Sequence, residues 1–333
     1  MRLLVTGGLG FIGSNFIRHY LARHPSDTLV NLDLRTYAGN PANLEGMAGA
    51  RRHRWVRGDI TDPKAVDRCM KGAEVVVHFA AESHVDRSIL EPGAFLKTNI
   101  LGTQVLLDAA LRHKTRRFLH VSTDEVYGSV ETGHSREGDP LEPNSPYAAS
   151  KASSDLLVRS YGVTFGLDAV ITRASNNFGP YQFPEKALPL MITNWLSGLP
   201  FPLYGDGRNV RDWVFVGDHV RGIELVLRKG KAGEVYNIGG TRSLANRDLV
   251  STVRRLMGVG PELVQPVADR PGHDRRYAVD CSKLKALGFR HAWTFEEALE
   301  STVRWYRDNA DWWKPLKGRK EYRSYYKTQY KKR

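Results

Sequence analysis

Cysteine is scarce: Cys69 and Cys281 are the only two in 333 residues. Two thiols make no disulfide framework, and neither has the neighbours a zinc site needs, so no metal is expected. Buried, inert thiols are the expectation. No stretch approaches the roughly 18 uncharged apolar residues of a membrane-spanning helix. The N-terminus lacks a basic segment followed by a cleavable apolar one and runs straight into a strand pattern. A cytoplasmic protein without a membrane partner is expected. No internal repeat or low-complexity linker appears. Acidic residues are outnumbered, 36 against 49 Lys and Arg, for a net charge of +13. Most of that surplus sits in residues 314–333, where nine Lys and Arg face Glu321 alone. Tyr322, Tyr325, Tyr326 and Tyr330 interleave with those charges, as they would in a single-strand nucleic-acid binder. A short tail is a poor groove by itself. The expectation is therefore a C-terminal segment that packs its aromatics on the body, leaves its basic groups in water and binds no nucleic acid.

Apolar, β-branched runs are plentiful. Residues 3–6, 28–32, 75–79, 118–122 and 168–173 read as fully buried strands, with helical patterns such as 14–24 and 102–113 between them. That alternation predicts an α/β fold: a Rossmann-type doubly wound parallel sheet with helices on both faces. After Asn176 the texture changes to shorter elements rich in proline, glycine and aromatics, as in a smaller, interleaved substrate-binding lobe. Residues 1–175 are expected to bind the cofactor, with parts of about 210–240 returning to that domain. Residues 176–315 would be mainly the substrate domain, and 316–333 the basic aromatic tail.

Gly7, Gly10 and Gly13 lie between the first strand and first helix, in the run Thr6-Gly7-Gly8-Leu9-Gly10-Phe11-Ile12-Gly13. Glycines there permit a tight turn and a close approach of backbone to a pyrophosphate, whose charge meets the helix N-terminus. Asp33, about 20 residues on, ends the second strand, where a carboxylate accepts from the adenosine ribose hydroxyls and repels a 2′-phosphate. NAD is favoured over NADP, although Arg35 nearby argues the other way. Asp59 and Ile60, and then Phe79, Ala80 and Ala81, end at the same sheet edge.

Tyr147 and Lys151 are spaced i, i+4 and share one helix face. A cation beside the phenol is expected to lower its pKa and suit it to take a hydroxyl proton. Thr123, Asp124 and Glu125 follow the fifth strand. Adjacent strand residues face opposite ways, so both carboxylates can serve one pocket only where the chain has left the strand; Gly128 is consistent with that turn. A ketone reductase or 4-epimerase needs no acid pair, whereas an elimination needs one group to take a carbon-bound proton and another to protonate the departing hydroxyl.

The glycine turn, Ser122-Thr123 and Tyr-x-x-x-Lys form the short-chain dehydrogenase/reductase pattern in its extended, sugar-nucleotide branch. Longer segments narrow it: Thr36-Tyr37-Ala38-Gly39-Asn40, Ala81-Glu82-Ser83-His84-Val85-Asp86-Arg87-Ser88, Ser122-Thr123-Asp124-Glu125-Val126-Tyr127-Gly128, Asn176-Asn177-Phe178-Gly179-Pro180-Tyr181, Asn209-Val210-Arg211-Asp212-Trp213 and Asp269-Arg270-Pro271-Gly272-His273-Asp274. Across nearly the whole chain the sequence resembles the dTDP-glucose 4,6-dehydratase family. That resemblance implies a hydro-lyase with tightly held NAD, acting on dTDP-glucose as a homodimer. Helices 102–113 and 146–161 would pair across the two-fold axis. It implies that Tyr147 takes the 4-OH proton, Thr123 polarises that hydroxyl, Glu125 removes the C5 proton and Asp124 protonates the leaving 6-OH. It extends the cofactor set to Leu34, Arg35, Thr36, Ser83, Thr98, Ser122 and Asn177, together with Tyr147 and Lys151. It places substrate contacts at Ser83, Thr123, Asn176, Glu185, Lys186, Ala187, Pro202, Tyr204, Arg211, Asn246, Asp269, Arg270 and His273. Lys186 and Arg211 suit a diphosphate. Against this stand plainer readings: Arg211 paired with Asp212, Asn246 only capping a helix, and His273 a satisfied loop residue. Ala187, Phe178 and Gly217 depart from the usual pattern, and Ala187 bears on nucleobase selection. The alternatives are a dehydratase of another nucleotide sugar such as UDP-glucose, or a nucleotide-sugar 4-epimerase.

Overall fold

The structure is a computed structural model that describes residues 1–330. Its strands are β1 (Arg2–Thr6), β2 (Thr28–Asp33), β3 (His53–Arg57), β4 (Val75–His78), β5 (Arg117–Thr123) and β6 (Ala169–Ala174). They continue as β7 (Asn176–Phe178), β8 (Phe201–Tyr204), β9 (Val210–Phe215), β10 (Val235–Ile238), β11 (Arg242–Ala245) and β12 (Val264–Val267). Seven of them form one parallel sheet in the order β10-β6-β5-β4-β1-β2-β3. This is the expected doubly wound sheet. The chain winds outward from β1 to β3, then restarts at β4 on the other side of β1. The strand order thus reverses between β1 and β4, where such sheets open a ligand crevice.

Alternation along the central strands builds a core on each face. Leu3, Val5, Val75, Val77, Leu119 and Val170 meet Phe16, Ile17, Val220 and Ile223 on one side. Leu4, Val30, Val76, Phe118 and Ile171 meet Val66, Leu106, Leu107 and Val158 on the other. A third core, around Phe178, Trp195, Trp213, Leu249, Phe295 and Tyr306, holds the C-terminal half together. It packs around the small sheets β11-β9-β7 and β12-β8.

The sequence and structure differ mainly at ends. The first helix, Phe11–Arg23, starts earlier than its apolar pattern because extended Gly10 serves as N-cap. The run 75–79 leaves the sheet after His78. Helix Pro146–Phe165 outruns its expected end and stops at Gly166, whose φ of +70° is the left-handed conformation that glycine adopts without strain. β10 and helix Val216–Lys229 return to the main sheet. Both cysteines are free and buried, and burial pushes both thiols up, that of Cys281 to about 12. Among the described residues no helix is long and apolar enough to cross a membrane.

The tail forms helices Ala310–Gly318 and Lys320–Tyr330 that bury Leu316, Tyr322 and Tyr325 while Lys314, Arg323 and Lys327 stay exposed. Its aromatics pack on the body, as expected. Lys331, Lys332 and Arg333 lie outside the described residues.

Candidate active site

One deep cleft runs along the C-terminal ends of β1, β2, β4, β5 and β6 and on to residues 174–186. The turn after β1 shows why glycine is required there. Gly7 has φ +73°, and a Cβ on it would lie 2.6 Å from the Ala80 backbone nitrogen; a Cβ on Gly13 would lie 2.4 Å from the Gly7 carbonyl. These two glycines let the turn pack against the end of β4 and the helix close on the turn. Gly10 is the more open of the three, meeting only the Gly7 carbonyl at 3.3 Å.

Asp33 closes β2. Its two oxygens accept from the Leu9 and Arg35 amides at 2.8 and 2.7 Å, while burial raises its pKa. Each carboxylate oxygen keeps capacity for another donor. Gly7, Gly10, Phe11, Ile12, Gly13, Leu34, Thr36, Asp59, Ile60, Phe79, Ala80, Ala81, Ser83, Thr98, Ser122 and Asn177 also line the cleft. Thr98 enters from a π-helical turn, Leu96–Leu101. Arg35 is the exception. It has φ +57°, is exposed, and its side chain lines a separate depression with Tyr37, Arg87, Arg319 and Tyr322.

At the end of β5 the chain leaves the strand at Thr123, and residues 124–127 form a single 3-10 turn. The Thr123 hydroxyl accepts from the Glu125 amide and donates to Asp124, both at 3.3 Å. This turn is what directs both carboxylates into one cleft. Gly128 ends it at φ +74°, where a Cβ would meet the Glu142 carbonyl at 2.2 Å. Burial, then the neighbouring Glu125 and Asp212 charges, hold the Asp124 pKa well above the usual carboxylate range. Burial also raises Glu125, against the pull of Arg270, Lys186 and Arg211.

Tyr147 and Lys151 both line the cleft, but their electrostatics are the reverse of the sequence expectation. Burial and the Glu125 charge push the phenol up, and only the nearby Thr123 hydroxyl opposes them among the leading influences. The Lys151 ammonium instead donates to the Val121 carbonyl at 2.8 Å and lies 3.4 Å from His120 Nε2. Burial pushes it down to about 8. Beneath it lies a buried network that spacing did not reveal. Asp155 sits 3.4 Å from His120 and 2.8 Å from Arg173, and Arg173 donates to the Tyr127 hydroxyl at 2.8 Å. The i, i+4 relation of Lys151 to Asp155 was the available signal.

Ser83, Thr123, Asn176, Glu185 and Lys186 reach the cleft; Ala187, Pro202, Tyr204, Arg211, Asn246, Asp269, Arg270 and His273 are not among its lining. Lys186 donates to the Ser83 carbonyl at 2.7 Å. Glu185 is tied down by the Tyr37 hydroxyl and by Arg87, at 2.8 and 3.1 Å. Arg211 does not pair with Asp212. Its guanidinium donates to the Val210 and Asp274 carbonyls at 2.8 and 2.9 Å and lies over the Tyr277 ring, while Asp212 accepts from Ser175 and the Gly240 amide. Asn246 is not the cap either: it is the first residue of helix Asn246–Met257, after Ala245 at the cap position. His273 Nδ1 is 2.6 Å from Asp269. Two departures from the family pattern also find reasons. A Cβ at Gly217 would strike the Phe215 and Trp293 rings, at 2.8 and 2.9 Å. Phe178 packs against Trp213, Phe215 and Phe295.

Ser122 Oγ, Asp124 Oδ2 and Asn176 Oδ1 are buried along this cleft without hydrogen-bond partners. Buried polar atoms of this kind call for a partner, and a polar dinucleotide and sugar can provide several. The residues present fit NAD.

Comparison with known proteins agrees. The family model described as GDP-mannose 4,6 dehydratase matches residues 4–302. A dTDP-glucose 4,6-dehydratase of Streptomyces antibioticus is 56% identical over 325 residues, 96% of each chain. The crystal structure of DesIV, a dTDP-glucose 4,6-dehydratase from Streptomyces venezuelae with NAD bound, superposes with TM-score 0.93 at 54% identity, covering 95% of this chain and 100% of that one. A Thermus thermophilus UDP-glucose 4-epimerase with NAD follows at TM-score 0.85 and 33% identity, covering 93% and 100%.

Proposed function

The chain belongs to the dTDP-glucose 4,6-dehydratase family of extended short-chain dehydrogenase/reductases, and on that premise we propose that it removes water from dTDP-glucose to give dTDP-4-keto-6-deoxyglucose. It is an NAD-dependent hydro-lyase. The fold alone does not separate dehydratase from epimerase, since relatives of both kinds superpose on it. The observation that carries the reading is buried Asp124 beside half-buried Glu125, both lining the cleft of Tyr147 and both with their pKa raised by desolvation. Epimerisation needs proton transfer at one oxygen; elimination needs it at O4, C5 and O6.

Residues 1–175, with the stretch of about 210–240 that supplies β10, hold the cofactor, and residues 176–315 mainly hold the nucleotide sugar. Bound NAD supplies the redox chemistry, taking a hydrogen with its electron pair from C4 and giving it back at C6. Tyr147 Oη takes the 4-OH proton while Thr123 polarises that hydroxyl. Because its surroundings favour the protonated phenol, Tyr147 needs a cation when it ionises; Lys151, one helical turn on, serves once its ammonium turns from the Val121 carbonyl. Once C4 is a ketone the C5 proton is acidified; Glu125 removes it and, after O6 has left as water, returns a proton to C5. Asp124, kept protonated by burial and its neighbour's charge, gives its proton to the departing O6. Lys186 lines this end of the cleft, the Arg270 and Arg211 charges act on Glu125 from behind it, and the three suit the diphosphate.

Incubation with dTDP-glucose and no added NAD is expected to yield the base-sensitive 4-keto-6-deoxy product. Appearance of the galactose epimer alone refutes the reading. Comparing kcat/KM for dTDP-glucose and UDP-glucose tests thymidine selectivity.

The working unit is proposed to be a homodimer. Leu90, Leu101 and Leu156 are 60%, 55% and 56% exposed on neighbouring elements of one flank, a pattern that suits an isologous helical interface. Two unpaired, buried cysteines suit a reducing cytoplasm.

A further inference from the structure

The chemistry just described uses none of the basic tail, yet the last helix is built into the site's supports. In Lys320–Tyr330 the buried positions are Tyr322, Tyr325 and Gln329, three and four residues apart and therefore on one face. A buried amide is out of place on a stripe that only packs. Gln329 Nε2 donates to Asp86 Oδ2 at 3.0 Å and to the Tyr204 hydroxyl at 2.6 Å. The Tyr325 and Tyr204 hydroxyls donate to that same oxygen at 3.3 and 3.0 Å. The other Asp86 oxygen accepts from Arg270 at 3.0 Å. One buried carboxylate thus joins helix Val85–Leu90, β8, the C-terminal helix and the loop bearing Arg270.

The neighbouring residue repeats the pattern. The Arg87 guanidinium lies between the Tyr37 and Tyr325 rings, 4.0 and 4.3 Å from their centroids. It donates to Glu185 at 3.1 Å, and Glu185 precedes Lys186. Tyr325 therefore touches the supports of both Arg270 and Lys186, two of the cations that face Glu125.

The geometry points to helix Lys320–Tyr330 as a positioning element of the nucleotide-diphosphate site, in which Gln329 and Tyr325 set Asp86 and Arg87 and thereby hold Arg270 and Lys186 in place. This rests on the nucleotide-sugar reading above. Gln329 and Tyr325 are positioning residues, remote from the reacting atoms. Two effects follow from their hydrogen bonds. Three donors on one Asp86 oxygen draw its charge away from Arg270, which leaves the guanidinium more attractive to a diphosphate. They also fix the carboxylate, so that Arg270, whose Nε is buried without a partner, presents its remaining donors in one direction. A preordered cation loses less freedom when it binds.

The test uses full-length Gln329→Ala and Tyr325→Phe, the second keeping the ring over Arg87. Calorimetric binding of thymidine diphosphate, the kcat and KM for dTDP-glucose, and Tm are measured together. Gln329→Ala is expected to weaken thymidine diphosphate binding and raise KM about tenfold, with kcat within about twofold and Tm nearly unchanged. Tyr325→Phe is expected to do the same to a smaller extent, about threefold. Wild-type affinity in both variants overturns the inference. So does a loss of kcat and Tm in step with affinity, which marks a merely structural helix. A wild-type protein that binds no thymidine diphosphate fails at the earlier step and overturns the substrate assignment together with this inference.

Discussion

Asp124 and Glu125 differ by one position and have opposite duties in the proposed elimination, and the pH dependence follows from that. Glu125 works deprotonated, and its pKa is raised, so activity should fall on the acid side at a higher pH than an ordinary carboxylate would give. Asp124 works protonated, and its pKa is raised well above the usual range, so activity should fall again as pH rises through it. Adjacent carboxylates titrate as a pair, and the predicted kcat/KM profile is a bell whose limbs belong to the two together. Asp124→Asn is expected to cut dehydration by roughly 10²–10⁴-fold, as measured by product formation. Glu125→Gln is expected to abolish entry of solvent deuterium at C5. A variant that still exchanges C5 assigns the base elsewhere. Adjacency in sequence made the acid pair legible, because one turn after a strand is enough to aim both. The state of Tyr147 was not legible. Spacing put Lys151 on its face, but a buried carbonyl and His120 compete for the ammonium, and those lie on β5.

Glycine placement and charge partners act between elements. Gly7→Ala demands both a left-handed backbone and a Cβ only 2.6 Å from the Ala80 backbone, with no side chain to give way. It should cost at least about 1–3 kcal/mol of strain and release NAD, read as a lower Tm and less cofactor recovered after denaturation. On the far side of the sheet, Glu224 of helix Val216–Lys229 reaches His19 and His24 at the first helix, each at 2.7 Å. The two histidines are the main lowering influences, and they depress Glu224 to about 2. A depressed carboxylate stabilises the fold above its unfolded value near 4.5 and loses that contribution as pH falls toward 2. Glu224→Gln should therefore flatten the fall of Tm across that acid window, and an unchanged slope rejects the staple. The helices and strands themselves were readable because buried parallel strands are continuous apolar runs and their helices keep a regular period. Their charge pairing was not, since His19 and Glu224 are 205 residues apart.

For the whole molecule the open face matters. Leu101 and Leu156 are exposed, and if the proposed dimer forms through them the double change Leu101→Glu with Leu156→Glu should give monomers by light scattering at concentrations where the parent has the mass of a dimer. An unaltered mass refutes that surface. The net charge of +13 invited a nucleic-acid reading, yet the tail spends its tyrosines on the body, exposes Lys314, Arg323 and Lys327 beside Glu321, Ser324 and Thr328, and turns Lys317 inward to Asn194.

The sequence by itself determined the sheet, the cofactor turn and the acid pair, because each is written within about one structural unit, in a period, a glycine spacing or two adjacent residues. Tertiary structure alone decided which partner each buried charge takes. Arg211 turned to the carbonyl of Asp274 and not to Asp212 beside it, and Asp86 found Gln329 across 243 residues of chain. A buried polar group takes the nearest well-aimed partner in space, and that partner exists only after distant segments have packed.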